Sequence, residues 1–154
     1  MKLSRTTIEI LKNFATINQG LLFKSGKTLR TMNVMKNTFA VAEIPDEIPQ
    51  EFAIYDLNEF LLAYSLADND IDFQDTMLVF NIAGESIEYV YSSPSVVVSP
   101  GDRTIKLPSE DKKFLLTKEV FEKVKKVSAS LKLKDLVIDC TGISVLNRNT
   151  VGHK

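Results

Sequence analysis

Two stretches of this chain repeat each other at an offset of 113 residues: "RTTIEILKNF" (5–14) and "KEVFEKVKKV" (118–127). Each follows a hydroxyl residue, Ser4 or Thr117, of the kind that caps a helix by accepting a bond from a free amide of its first turn. Ile8, Leu11 and Phe14 superpose on Phe121, Val124 and Val127, an apolar stripe at helical spacing. Arg5, Glu9 and Lys12 superpose on Lys118, Glu122 and Lys125, a charged stripe on the other side. A helix that is apolar on one side must bury that side against something else. Two such helices read as an internal repeat and therefore as two related layered units.

The rest of the pattern fills in around them. The first helix is expected over 5–18, ended by Gly20, and strands are expected at 21–24 and 28–34 about a hairpin turn, Ser25-Gly26-Lys27. The second copy has strands at about 134–140 and 143–147 about Thr141-Gly142. Between the copies, strands are expected at 38–44, 52–55, 71–75, 77–83 and 87–91. A loop at 44–51 is marked by Pro45 and Pro49. Asp56 caps a helix to about Leu66, with Leu57, Phe60, Leu61 and Tyr64 as its apolar set. Pro94, Pro100 and Pro108 make 92–113 an extended connector. The class is α+β, helices on antiparallel sheets. The domains are 1–98, a linker over 99–113, and 114–154, the last holding one helix and one hairpin.

Several familiar chemical motifs are present only in part. Gly26-Lys27-Thr28 ends like a phosphate-binding loop, but the first glycine of that motif would fall on Leu21, and a strand follows where a helix is needed. Gly26 is read as a turn residue. Asp68, Asp70 and Asp72 imitate a calcium loop, but Phe73 and Val79 stand where Gly and Glu belong. Cys140 is the single cysteine and His153 the single histidine. Cys140 reads as a small buried hydrophobe, and His153 lies near the C-terminus, so no nucleophile has an ordinary base. No catalytic residue, metal site or cofactor is expected. One cysteine excludes an intrachain disulfide and fits a reducing, intracellular setting. No apolar run reaches the roughly 20 residues of a membrane span, and the first ten residues do not read as a signal peptide.

Charge is distributed in blocks. Residues 1–36 hold seven Lys or Arg and one Glu. Residues 37–102 hold thirteen Asp or Glu and no Lys or Arg. Residues 103–154 hold twelve Lys or Arg and six Asp or Glu. Such asymmetry directs a polyanion to one surface and repels it from another.

Three stretches, "LKNFATIN" (11–18), "AIYDLNEFL" (53–61) and "PSVVVSP" (94–100), closely resemble the sliding clamps of T-even-type bacteriophages, the processivity factors of phage replicases. The likeness runs from Met1 to about Asn147. The resemblance implies a DNA-clamp fold of two similar domains per subunit, closed head to tail into a ring of three around duplex DNA. It implies a non-catalytic tether for DNA polymerase, placed on DNA by a clamp loader in the cytoplasm of the infected host cell. Hole-facing candidates are Lys2, Arg5, Lys12, Lys118, Lys125 and Lys126. Val96, Val97 and Val98 are candidates for holding a partner peptide. The second domain is only about half the length the family needs, so this truncated form is expected to self-associate through Leu136, Ile138, Ile143 and Val145, as a dimer rather than a trimer. The competing reading is a clamp-like scaffold or peptide-binding module that does not encircle DNA.

Overall fold

The computed structural model describes residues 1–67, 70–102, 114–139 and 141–147. Cys140, His153, Asp68, Pro108 and the linker beyond 102 lie outside these. The chain divides into two compact units, Met1–Thr104 and Ile105–Lys154.

In the first unit, α1 spans Arg5–Ala15. Ser4 caps it as expected, its hydroxyl accepting from the Thr7 amide at 3.2 Å. Thr7, Leu11 and Phe14, one turn apart in succession, form its buried edge. The helix stops short of the expected residue 18. Thr16 closes it, and the amides of Ile17 and Asn18 both turn back to the Phe14 carbonyl. Gly20 is not the left-handed cap expected of it. A Cβ there would lie 3.3 Å from the Ile54 carbonyl oxygen and from Val97 Cγ1. Glycine is needed for close packing, not for a turn.

The strands are β1 (Leu21–Phe23), β2 (Gly26–Met32), β3 (Phe39–Ile48) and β4 (Phe52–Ile54). The expected hairpin of β1 with β2 does not form: β1 pairs with β4 and β2 with β3, both antiparallel. Gly26 does adopt a positive φ, of 110°. It lies at a register shift in which Gly26 faces Ile48 while Thr28 already faces Glu43. The extra residues on β3 include Pro45, which has no amide to donate and is accommodated at the irregularity. Thus 44–48 is strand where a loop was expected. Ile44 and Ile48 are both buried and hold it against the core.

Helix α2, Leu57–Leu66, starts on Asp56, whose carboxylate accepts from the amides of Asn58 and Glu59 at 2.8 and 3.2 Å. Partial burial opposes ionisation of Asp56. The bonds from Gln19, Glu59 and Asn58 outweigh it and hold the carboxyl below its ordinary range. A three-stranded antiparallel sheet follows, β5 (Ile71–Phe73), β6 (Met77–Ile82) and β7 (Glu85–Val90), with β6 central. Its tight turn places Ala83 and Gly84 at positive φ, as a two-residue hairpin requires. The core is largely Leu and Ile with an aromatic cluster inside it. Phe23 stacks on Phe52 at 4.5 Å, and Phe60 sits 6.1 Å from Phe23 and 5.8 Å from Phe80. Helices α1 and α2 pack side by side, with α1 also against β3.

The second unit contains α3 (Lys118–Leu131), β8 (Asp135–Asp139) and β9 (Gly142–Leu146). Thr117 caps α3 through the Val120 amide at 3.3 Å, the counterpart of Ser4. Here the two strands do form a hairpin, and α3 packs on β9. The repeat therefore holds for cap and helix and fails for the strands that follow. None of the described residues of this unit is buried.

Candidate nucleic-acid interface

The side of α1 away from its buried edge carries Arg5, Thr6, Glu9, Lys12 and Asn13, all exposed, with Lys2 exposed just before the helix. Arg5 bonds Glu9 at 2.9 Å across one helical turn. Both partners are largely in water, where such a pair contributes little, so Arg5 can exchange Glu9 for a phosphate at small cost. On α3, Lys118, Lys125 and Lys126 are exposed. Lys125 bonds Glu122 at 3.2 Å and lies 5.4 Å from the centre of the Phe121 ring. The structure thus places all six basic candidates at the surface, three before or on α1 and three on α3. Helix α2 adds no cation to them: its exposed residues are Asn58, Glu59, Leu62, Ser65 and Leu66.

The basic block at the start of the chain is not one surface. Lys24 and Arg30 lie on or beside strands, where both meet Asp102, at 2.9 and 3.3 Å. The hydrogen bond from Lys24 is the main reason the Asp102 carboxyl lies below its ordinary range. In this arrangement these cations join the connector to the sheet through surface pairs, which, like Arg5–Glu9, contribute little individually.

The connector is held at its other end by Asn18. Its amide nitrogen donates to the carbonyls of Met32 and Val98 at 3.0 and 2.9 Å, and its oxygen accepts from the Gly20 amide at 3.3 Å. A 3-10 turn at Pro94–Val96 then leads into three differently placed valines. Val97 is buried on Gly20, Val98 is half-buried and Val96 is exposed. A shallow cleft of about 170 Å3 runs here, between Val96–Val98 and Gln19, Val34 and Tyr55. Sequence reasoning missed Val34 and Tyr55. Val34 and Met35 are exposed in the loop between β2 and β3, which Asn33 fixes by accepting from the amides of Asn37 and Thr38, both at 3.0 Å. Two apolar residues inside a polar turn, "NVMKN", were the available signal.

In the hairpin, Leu136 faces Val145 and Ile138 faces Ile143 across the ladder. These four therefore share one face of the strands. Leu136 and Ile138 are exposed; Ile143 and Val145 are half-buried. Among the described residues no group of three or more His, Cys, Asp or Glu is placed to hold a metal ion, and no helix is long and apolar enough to cross a membrane.

Residues 2–83 match the family described as DNA polymerase processivity factor. Three curated relatives are similar to 90% of this chain. The sliding clamp of Vibrio phage KVP40 is 38% identical over 143 residues, 64% of its own length. The sliding clamps of Enterobacteria phage T4 and Escherichia phage RB69 are 36% and 34% identical, each over 141 residues and 61% of its length. The chain spans a little under two thirds of the length of these relatives.

Proposed function

The chain belongs to the DNA polymerase processivity factor family, and from that premise we propose that it is a non-catalytic, clamp-type replication subunit that tracks duplex DNA and tethers a polymerase. The observation that carries the reading is the repeated helix, which offers Arg5 and Lys12 in one unit and Lys118 and Lys125 in the other, all exposed. Lys2 and Lys126 support them. Such contacts go to phosphates and read no sequence. They are loose because a subunit that slides cannot hold one register. A clamp loader and the cytoplasm of the infected host are the setting in which this activity belongs.

The test is binding to duplexes of unrelated sequence, read by anisotropy across a salt series. Binding is expected to be independent of sequence and to weaken with salt. Replacing Arg5, Lys12, Lys118 and Lys125 by Glu should lower affinity about tenfold or more and flatten the salt dependence by about 0.9 per lost contact. Equal affinity and slope in that variant would remove the proposed interface.

A second reading, a peptide-binding module that does not encircle DNA, is favoured by the cleft beside the connector, which lies wholly within the first unit. We place the polymerase peptide there, with Val96 as its exposed contact and Val97 as part of the wall. Val96→Asp is expected to weaken binding of a polymerase C-terminal peptide about tenfold, the worth of one buried valine, without lowering the melting temperature. Unchanged titration curves for Val96→Asp would move the peptide elsewhere. Duplex binding separates the two readings, because a module that never meets DNA shows none.

The chain is also proposed to self-associate through its C-terminal unit. The apolar residues of that unit, Leu136, Ile138, Ile143 and Val145 among them, lack full cover, and an apolar surface of this kind draws a partner. The expected product is a dimer in place of the three-membered ring of the resemblance.

A further inference from the structure

Lys24 and Arg30 converge on a point that the chain itself fills with an anion. Both reach the same oxygen, Asp102 Oδ1, at 2.9 and 3.3 Å, and the Lys24 ammonium also meets Oδ2 at 2.9 Å. Two cations on one carboxylate make the geometry of carboxylate capture. A cavity of about 200 Å3 lies at the same place, with Thr28 and Ser99 in its walls. Thr28, Arg30 and Met32 alternate along β2 and so share the side that faces it, while the buried Leu29 and Thr31 take the opposite side. Beyond Asp102 a wider hollow of about 460 Å3 continues beside Met32 and Val98, where Lys36 adds a third, exposed cation.

The partners in these pairs are unequal. The Asp102 side chain is 77% exposed, whereas Lys24 and Arg30 are 38% and 31% exposed. The anion lies in water while its cations are partly covered. Asp102 follows Gly101, which has a positive φ of 63° and open space where a Cβ would be. The turn that carries the carboxylate therefore has room to move. An exposed pair contributes little, so Asp102 leaves at small cost. Its departure strands two cations that still converge on one point.

We propose that this is a carboxylate-binding site with Asp102 as its built-in competitor. A carboxylate from outside, carried by an acidic protein segment or a free dicarboxylate, displaces Asp102 and takes over Lys24 and Arg30. A nucleic acid fits less well. In the cavity wall the Thr28 hydroxyl donates to Glu43 at 2.7 Å, and residues 37–102 hold thirteen Asp or Glu and no Lys or Arg. A polymer charged along its whole length meets that negative field; a single carboxylate reaches the pair without spanning it. Upstream, Val97 stays packed on Gly20 and Asn18 stays bonded to Val98, so displacement is confined to 99–102.

The experiment follows backbone amides of the full chain by NMR during titration with glutarate, with an end-capped peptide of glutamates, and with the matching glutamine peptide as blank. Amides in 22–30 and 99–102 should shift with glutarate or the glutamate peptide and not with the blank. Shifts with the peptide alone assign the site to a protein segment, and shifts with glutarate as strong as with the peptide assign it to a free dicarboxylate; either supports the proposal. Asp102→Asn removes the competing charge and should bind about fivefold tighter, the scale of one exposed pair. Lys24→Ala with Arg30→Ala should weaken binding at least tenfold. An otherwise unchanged spectrum shows that each variant is folded.

Several results would overturn the proposal. Equal affinity in the double variant and wild type means that Lys24 and Arg30 do not hold the ligand. Binding no tighter in Asp102→Asn means that Asp102 is not a competitor. Duplex DNA that shifts the same amides more than the peptide, and loses that effect in the double variant, makes this a nucleic-acid site. No shift in either wild type or Asp102→Asn removes the site. None of these amides lies on α1 or α3, so such a failure leaves the duplex-binding reading standing.

Discussion

Phe60→Ala is expected to cost about 3–5 kcal/mol, the range for emptying a buried aromatic site. Phe60 is 1% exposed. Its ring lies within about 6 Å of the rings of Phe23, Phe80 and Tyr89. It therefore joins β1, β6 and β7 to α2, and those rings cannot all move into one void. Folded domains are stable by only about 5–15 kcal/mol, so the loss should lower the melting temperature of the first unit by roughly 15 °C or more. Denaturant unfolding followed by circular dichroism would measure it. Phe121→Ala is the control: that ring is already 42% exposed on α3, and its loss should cost less than about 1 kcal/mol. Equal effects at the two positions would mean that the aromatic cluster is not what holds the first unit together.

Asn18→Leu should be nearly as damaging and for a different reason. The buried amide of Asn18 is fully used: two donated bonds and one accepted. Leucine fills similar space but leaves the carbonyls of Met32 and Val98 without that donor and the Gly20 amide without its acceptor. The buried Gly20 amide so stranded costs about 1–3 kcal/mol, and the two half-buried carbonyls add to it. Asn18→Asp sharpens the test. It keeps the acceptor for Gly20 but sets a charge against two carbonyls, so it should fare no better than leucine. In both variants the connector should come away from Gly20. Limited proteolysis should cut within 94–102 faster than in wild type, and the cleft beside Val96 should lose a wall. A connector that remains protected in Asn18→Asp would show that Val97 and Asp102 hold it without Asn18.

Local features of the fold were legible because their causes are local. Ser4, Asp56 and Thr117 cap the three helices as read, since a cap requires only a side chain within reach of amides two or three residues on. Leu57, Phe60, Leu61 and Tyr64 line the buried face of α2 because helical spacing alone puts them together. The charged stripes of α1 and α3 were visible for the same reason. Both stripes are exposed, and their contact with DNA is proposed.

What misled was pairing over distance. Gly26 has the positive φ expected of it, but a glycine at a hairpin turn and a glycine at a register shift look alike in sequence. Pro45 looks like a break, yet a strand continues past it because the buried Ile44 and Ile48 hold the chain and the shift leaves no amide wanted there.

The sequence by itself determined the caps and apolar faces of the helices among the described residues, through contacts within a few residues, and its repeat and charge blocks are properties of the sequence itself. Tertiary structure alone decided which strands pair, because register depends on neighbours far along the chain. It alone assigned Lys24 and Arg30 to Asp102, 78 and 72 residues away, out of a basic block that looked uniform. And it alone told the three valines apart. Val97 is the one that turns inward because Gly20, 77 positions earlier, leaves no Cβ in its way, while Asn18 holds the next carbonyl in place and Val96 is left facing water.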